Sequence, residues 1–160
     1  MEDLSMQVHE QKKIISKQEF LEINDKSAHE MSLDKNLQNK ALEVLIEADK
    51  HRWVHQATWF GEPLLNLPQD MFALQDIIWR TRPDYIIEVG VAWGGGLLFD
   101  ATLLEMLGGK KVIGVDIFMP DDLRERLSSH GRLSERLELI EGSSTASETM
   151  DQIKSIVDGS

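Results

Sequence analysis

Two carboxylates and a cluster of glycines carry the chemistry this chain could do. Glu88 and Gly90 are followed by Gly94, Gly95 and Gly96, and Asp116 comes one short unit later. Glycine has no Cβ, so a glycine loop lets the backbone close on a ligand and turn its amides toward it. A carboxylate at the end of the next strand can accept hydrogen bonds from both hydroxyls of a ribose. These are the parts of a nucleotide site. Taken alone, Asp116 also suits an ordinary turn after a strand, and both readings stand.

The elements that must position these residues are legible around them. Tyr85 to Val89 is an apolar run, expected as a strand buried on both faces at the centre of a parallel sheet. Helical periodicity starts straight after the glycines, at Leu97, Leu98, Ala101, Leu104 and Leu107, and Gly108-Gly109 closes it. Lys111 to Val115 is a second strand leading into Asp116. Strand, glycine loop and helix N-terminus form the start of a Rossmann-like unit.

The glycine spacing bears on which nucleotide is bound. A dinucleotide fingerprint needs Gly-x-Gly-x-x-Gly, and its second glycine falls on Ala92. The observed pattern, Glu-x-Gly-x-x-x-Gly-Gly from Glu88 to Gly95, resembles motif I of class I S-adenosylmethionine-dependent methyltransferases. In those enzymes the loop holds the amino-acid end of the cofactor, and the acid after the second strand holds its ribose.

Composition narrows the classes. The chain has 160 residues, 41% of them apolar, enough for one domain and one core. Its net charge of −11 and pI near 4.8 argue against nucleic-acid or anionic-membrane partners, which need a basic face. The absence of cysteine excludes a disulfide scaffold and a thiolate zinc site and fits a reducing, cytoplasmic setting. No stretch reaches the length of a membrane span, and the first ten residues lack the basic and apolar regions of a signal peptide.

Three segments are expected. Residues 1–33 read as a polar, loosely ordered leader with no more than a short strand or helix. Residues 34–82 read as N-terminal helices and an aromatic turn. Residues 83–160 read as the N-terminal half of a Rossmann-like domain. The first strong stripe is Leu37, Ala41, Val44, Leu45 and Ala48, capped by Ser32 or Asp34 and running into the early 50s. His51 and His55 would share a face if that helix continued, as a metal pair would. Arg52 stands where a His-Glu-x-x-His motif needs glutamate, and solvent or interface histidines are the plainer reading. Trp53, Trp59 and Phe60 around Gly61-Glu62-Pro63 suggest an aromatic anchor, or else a lid or subunit contact. A helix from about Pro68 ends at Pro83.

Past Asp116, a short helix from Leu123 to Ser129 and a strand from Leu137 to Ile140 are expected. Ser143 and Ser144 follow at that strand's end, where such sheets place ligands, although they also suit a plain loop. Thr145-x-x-Glu148 has the spacing of a capping box for a last helix carrying Met150, Ile153, Ile156 and Val157. His130 reads as an exposed loop histidine.

A more specific resemblance rests on three segments in order: Trp59-Phe60-Gly61-Glu62-Pro63-Leu64-Leu65-Asn66-Leu67-Pro68-Gln69-Asp70, then Pro83 to Gly90 with the Gly94-Gly95 pair, then Val112-Ile113-Gly114-Val115-Asp116-Ile117. They resemble the cephalosporin hydroxylase and rhamnosyl O-methyltransferase family over residues 55 to 150, roughly. The resemblance implies an α/β, Rossmann-like three-layer sandwich that binds S-adenosylmethionine, in many members with a divalent metal such as Mg. It implies that Glu88, Gly90, Trp93, Gly94, Gly95 and Gly96 line the methionine end and that Val91 and Ile117 also touch the cofactor. Asp116 would lie at the ribose, and Ser143 and Ser144 near the adenine. The family's serine after the paired glycines is Gly96 in this chain.

Only about three parallel strands are expected, and the strand that brings the family's metal-binding aspartate is absent. The chain therefore reads as the N-terminal portion of an enzyme, with no catalytic residue to name. The reading is an O-methyltransferase acting on a hydroxyl of a sugar, lipid-linked sugar or small metabolite, expected as a homo-oligomer. This portion alone would be inactive. A non-catalytic nucleotide-binding or oligomerisation module and a β-lactam hydroxylase-type tailoring enzyme are the alternatives. Genomic sequence continuing in frame past Ser160 would favour the enzyme.

Overall fold

The computed structural model describes residues 15–159; the stretch on which no signal peptide was read lies outside the described residues. The described residues form two compact units that divide between Glu47 and Ala48.

In the first unit, α1 spans Lys17–Leu33 and α2 begins at Lys35 and ends at Asp49. The polar stretch expected to hold at most a short element is thus a helix of 17 residues. Its support is local. Ser16 caps it by accepting the Glu19 amide at 3.1 Å, and Gln18 and Glu22 bond one turn apart at 2.9 Å. Asp34 caps α2 in the expected way, its Oδ1 accepting the Leu37 amide at 2.9 Å. No residue of α1 or α2 is buried.

The second unit opens with a small antiparallel hairpin, β1 (Thr58–Trp59) and β2 (Glu62–Pro63), then α3 (Pro68–Thr81). The parallel sheet follows: β3 (Tyr85–Val89), β4 (Lys111–Asp116) and β5 (Leu137–Glu141), in the order β3-β4-β5. Helix α4 (Gly95–Leu107) connects β3 to β4, α5 (Leu123–Ser128) lies between β4 and β5, and α6 (Ser147–Asp158) follows β5.

Alternation along β4 builds the layers. Val112 packs with Leu97, Leu98, Leu104, Leu123 and Leu127 on one face; Ile113 and Val115 pack with Ile140 and Ile153 on the other. Helices α4 and α5 therefore cover one face of the sheet and α6 the other. Gly114 lets α4 come close, since a Cβ there would lie 2.9 Å from Leu97 and Val91 side-chain carbons.

Two expectations are corrected. Among the described residues the middle strand is β4, not β3. Every residue from Val112 to Val115 is buried, whereas Ile87 and Val89 on β3 are 48% and 63% exposed. The capping box does not form either. Ser143 accepts the Thr145 amide at 3.4 Å and its hydroxyl meets that of Thr145 at 3.1 Å, so the segment turns once more and α6 starts at Ser147.

Candidate functional site

The site lies where β3 runs into α4. Gly90 takes a φ of 92° and Gly94 one of 89°, so the loop turns at both ends on left-handed residues. Between them Ala92 is also left-handed, with a φ of 48°, at the position where a dinucleotide fingerprint would have glycine. A Cβ in that region costs about 1–2 kcal/mol. Asp116 offsets that cost. Its Oδ2 accepts the amides of Val91 at 2.8 Å and Ala92 at 3.2 Å, and its Oδ1 accepts that of Phe118 at 3.2 Å. Burial works against its charge, yet the amides of Phe118, Ala92, Val91 and Ile117 outweigh burial and hold this carboxyl below the usual range. Asp116 is therefore built into the loop, whichever ligand it also meets.

The three consecutive glycines do three different jobs. A Cβ at Gly94 would meet Leu127 at 2.9 Å, so this residue seats the loop on α5. A Cβ at Gly95 would lie 2.3 Å from the Pro63 carbonyl oxygen, so the hairpin sits directly on the start of α4. A Cβ at Gly96 would lie 2.5 Å from Glu88 Oε1: the Glu88 carboxyl occupies the notch that Gly96 leaves open.

Glu88, Gly90, Val91 and Gly96 line a recess of about 350 Å³, joined by Val89, Ala92 and, from the hairpin side, Pro63, Leu65 and Asn66. The other residues singled out in the sequence do not line it. Trp93 is half-exposed beside it, Asp116 underpins it, and Ile117 is exposed at the end of β4. Ser143 and Ser144 lie past β5, joined to the end of β4 by the Gly142 amide donating to the Asp116 carbonyl at 2.7 Å.

Burial sets the charge of the recess. Desolvation, reinforced by the nearby negative charge of Asp100, pushes the Glu88 carboxyl up to about 8. Desolvation alone pushes Asp100 up to about 7. Glu88 Oε2 and Asp100 Oδ1 are both buried without a hydrogen-bond partner.

The aromatic turn is an anchor. The Trp59 indole donates to Thr102 Oγ1 at 3.1 Å, and its ring meets Phe99 edge-on at 5.0 Å. Next to it, Glu62 is buried and ion-paired to Arg126, whose other contacts are Asp122 at 2.9 Å and the Trp93 carbonyl at 3.3 Å. His130 is not an exposed loop residue; its Nε2 lies 3.7 Å from Glu62 Oε1. This cluster ties the hairpin, the glycine loop and α5 together. His51 and His55 do not share a helix face, because α2 ends at Asp49 and Arg52 takes a left-handed φ of 57°.

The family model described as Rhamnosyl O-methyltransferase/CmcI matches residues 51–160, from just past α2 through the hairpin, the glycine loop and the whole sheet. The chain belongs to this family. A relative named rhamnosyl O-methyltransferase, from Mycobacterium leprae (strain TN), is 32% identical over 116 residues, which is 68% of this chain and 48% of that protein. The chain thus spans about half the length of the curated relative it matches. Among solved structures, a CmcI with Mg-SAM is 25% identical and superposes with a TM-score of 0.47 over 61% of this chain and 40% of that one. A CmcI with SAH is 23% identical, with a TM-score of 0.42 over 64% and 59%.

Among the described residues, no group of three or more His, Cys, Asp or Glu could hold a metal ion. No helix among the described residues is long and apolar enough to cross a membrane.

Proposed function

We propose that this chain is the cofactor-binding part of an S-adenosylmethionine-dependent O-methyltransferase acting on a hydroxyl of a sugar or small metabolite. The observation that carries the reading is the recess between the glycine loop and the hairpin, lined by Glu88, which has one carboxyl oxygen buried without a partner. Residues 83–160 form the first half of the cofactor domain, and the hairpin at 58–63 closes its methionine side. A sugar acceptor is the inference from the relative that is named a rhamnosyl O-methyltransferase.

S-Adenosylmethionine supplies an electrophilic methyl group when bound. The chain's own residues hold and orient it. Glu88 meets the ammonium of the methionine end, the loop amides meet the carboxylate, and Asp116 keeps the loop in its left-handed course while its free lone pairs accept from the ribose. Ser143 and Ser144 flank the adenine side, and Trp93 and Ile117 cover the rim. Methyl transfer gains chiefly from such positioning and from exclusion of water. A cytoplasmic location and assembly into a homo-oligomer belong to the same reading. The cysteine-free composition and the exposed apolar side chains of α1 and α2 support them.

Calorimetric titration tests the assignment. S-Adenosylmethionine or S-adenosylhomocysteine should bind one to one, and NAD should not compete. Tighter binding of NAD would overturn the reading.

A further inference from the structure

Asp100 is an anomaly in α4. It interrupts the apolar run Leu97-Leu98-Phe99 and Ala101, yet it is only 4% exposed. It lies one turn beyond Gly96 and therefore on the same face of the helix, the face whose missing side chain makes room for Glu88. Each of the two carboxyls has one oxygen fully buried without a partner. A buried charge left unpaired is costly, and two adjacent ones cannot both persist.

We propose that Asp100 is a positioning residue of the cofactor site: it shares one proton with Glu88 beneath the glycine loop, and that proton leaves when Glu88, which lines the recess, receives the ammonium group of the ligand's methionine end. The inference rests on the S-adenosylmethionine reading for the identity of the ligand, but not for the shared proton.

The surrounding charges do not supply a substitute cation. On the hairpin, Glu62 is held by Arg126 and approached by His130. Along α4 itself, Glu105 is paired with Arg136 at 2.7 Å and Arg132 at 3.4 Å. On β4, Lys111 is paired with Glu138 at 2.8 Å, and Asp116 is turned to the loop amides. On α3, Arg80 pairs with Asp76 at 2.9 Å, and Asp70 is exposed in the first turn. On β3, the Tyr85 hydroxyl donates to the Val157 carbonyl at 3.4 Å, and the Lys110 ammonium next to β4 lies over the Tyr85 ring. After burial, the charge of Asp100 is what raises the Glu88 carboxyl. Both carboxyls are raised toward or past neutrality by burial, which fits a proton retained between them at neutral pH.

The proton balance is simple. Protein with one shared proton takes up a cationic ammonium, and the proton passes to solvent. Binding must then be linked to pH. Affinity for S-adenosylhomocysteine should strengthen between pH 5.5 and 7.5, approaching about tenfold per unit where a full proton is displaced.

The experiment measures proton release by titrating the 160-residue chain with S-adenosylhomocysteine at pH 7 in buffers of different ionisation enthalpy. Wild type should release about one proton per ligand bound. In Asp100→Asn the amide can donate to Glu88 in the proton's stead, so the release should fall well below half while binding persists. Release equal to wild type in Asp100→Asn would overturn the proposal, as would binding to wild type with no release. Infrared spectra of the ligand-free protein provide a readout that needs no binding. A protonated-carboxyl band at neutral pH that shifts in frequency in both Glu88→Gln and Asp100→Asn supports the shared proton, and two bands that disappear one at a time, each unmoved by the other substitution, overturn it. Absence of the band in wild type overturns it, even where the cofactor binds. Failure of wild type to bind, with the band present, would overturn the cofactor reading and the displacement step together and leave the shared proton standing.

Discussion

Gly95 is the tightest point between the hairpin and the glycine loop, and Gly95→Ala should separate them. An ideal Cβ there would lie 2.3 Å from the Pro63 carbonyl oxygen, 2.7 Å from its carbon and 2.9 Å from the Glu62 oxygen. All three are backbone atoms, so no rotamer change relieves the clash. To restore ordinary contact, near 3.4 Å, the hairpin must retreat by about 1 Å. It is not free to do so. Its two strands are paired, the Trp59 indole is bonded to Thr102, and Glu62 is tied to Arg126. Overpacking of this kind costs about 1–3 kcal/mol, and a backbone neighbour places this case in the upper half. The helix propensity gained by alanine offsets less than about 1 kcal/mol at a first helical position.

Urea unfolding followed by tryptophan fluorescence is the assay. All 4 tryptophans, Trp53, Trp59, Trp79 and Trp93, lie in the second unit, so the signal reports that unit alone. With a slope of about 1–3 kcal/mol/M, a loss of about 2 kcal/mol moves the midpoint down by roughly 1 M. Affinity for S-adenosylhomocysteine should fall as well, because Pro63, Leu65 and Asn66 line the recess. Gly108→Ala is the control. That residue has a φ of 80° and nothing within 4 Å of a Cβ, so it should lose about 1–2 kcal/mol from backbone strain while affinity holds. Stability and affinity both unchanged in Gly95→Ala would refute the claim that hairpin and loop are locked in contact.

Three other outcomes are expected. Stability should decline as pH rises from about 4 to about 8, because folded Glu88 and Asp100 keep protons that the unfolded carboxyls, at their ordinary 4.5 and 3.8, have lost. The loss should be on the order of a few kcal/mol, and Glu88→Gln/Asp100→Asn should flatten it in pH-dependent urea midpoints. Ala92→Gly should raise the urea midpoint, by about 1 kcal/mol of relieved left-handed strain; a lower midpoint would show that the alanine is at ease there. Asp116→Ala should weaken both the fold and S-adenosylhomocysteine binding, since it strands the amides of Val91, Ala92 and Phe118; loss of affinity with an unmoved midpoint would assign Asp116 to the ligand alone.

The strand-loop-helix core was legible because its signals are local: apolar runs of strand length, glycines at the turns, and helical periodicity after them. Which strand sits in the middle was not, because Tyr85 to Val89 and Lys111 to Val115 are similarly apolar and pairing order is a tertiary matter. Helix α1 was missed for the opposite reason. It buries nothing, so it has no apolar stripe to find, and its supports are a serine cap and side-chain pairs such as Lys26 with Glu30 at 3.9 Å. The link from Glu62 to Arg126 crosses 64 residues and leaves no mark in the pattern. Asp100 did leave one: a carboxylate inside an otherwise apolar helical run, at one turn's spacing from the last loop glycine.

Gly96 shows how a departure from a pattern can be read once the neighbours are known. From sequence, Gly96 stood out only as a glycine where the family has serine. In the structure the vacated volume is filled by Glu88 Oε1, which brings that carboxyl to the helix face where Asp100 stands. The two acidic positions thereby part company. Asp116 is surrounded by amide donors and stays anionic, holding the loop's shape. Glu88 and Asp100 have no donor for their buried oxygens and are pushed toward the neutral form. A cation at Glu88 is the chemical complement to such a pair, because it lowers the cost of the charge that burial opposes. Under the proposed reading, the ammonium of the methionine end of S-adenosylmethionine would be that cation, and the notch at Gly96 would join the missing side chain to the buried acid on α4.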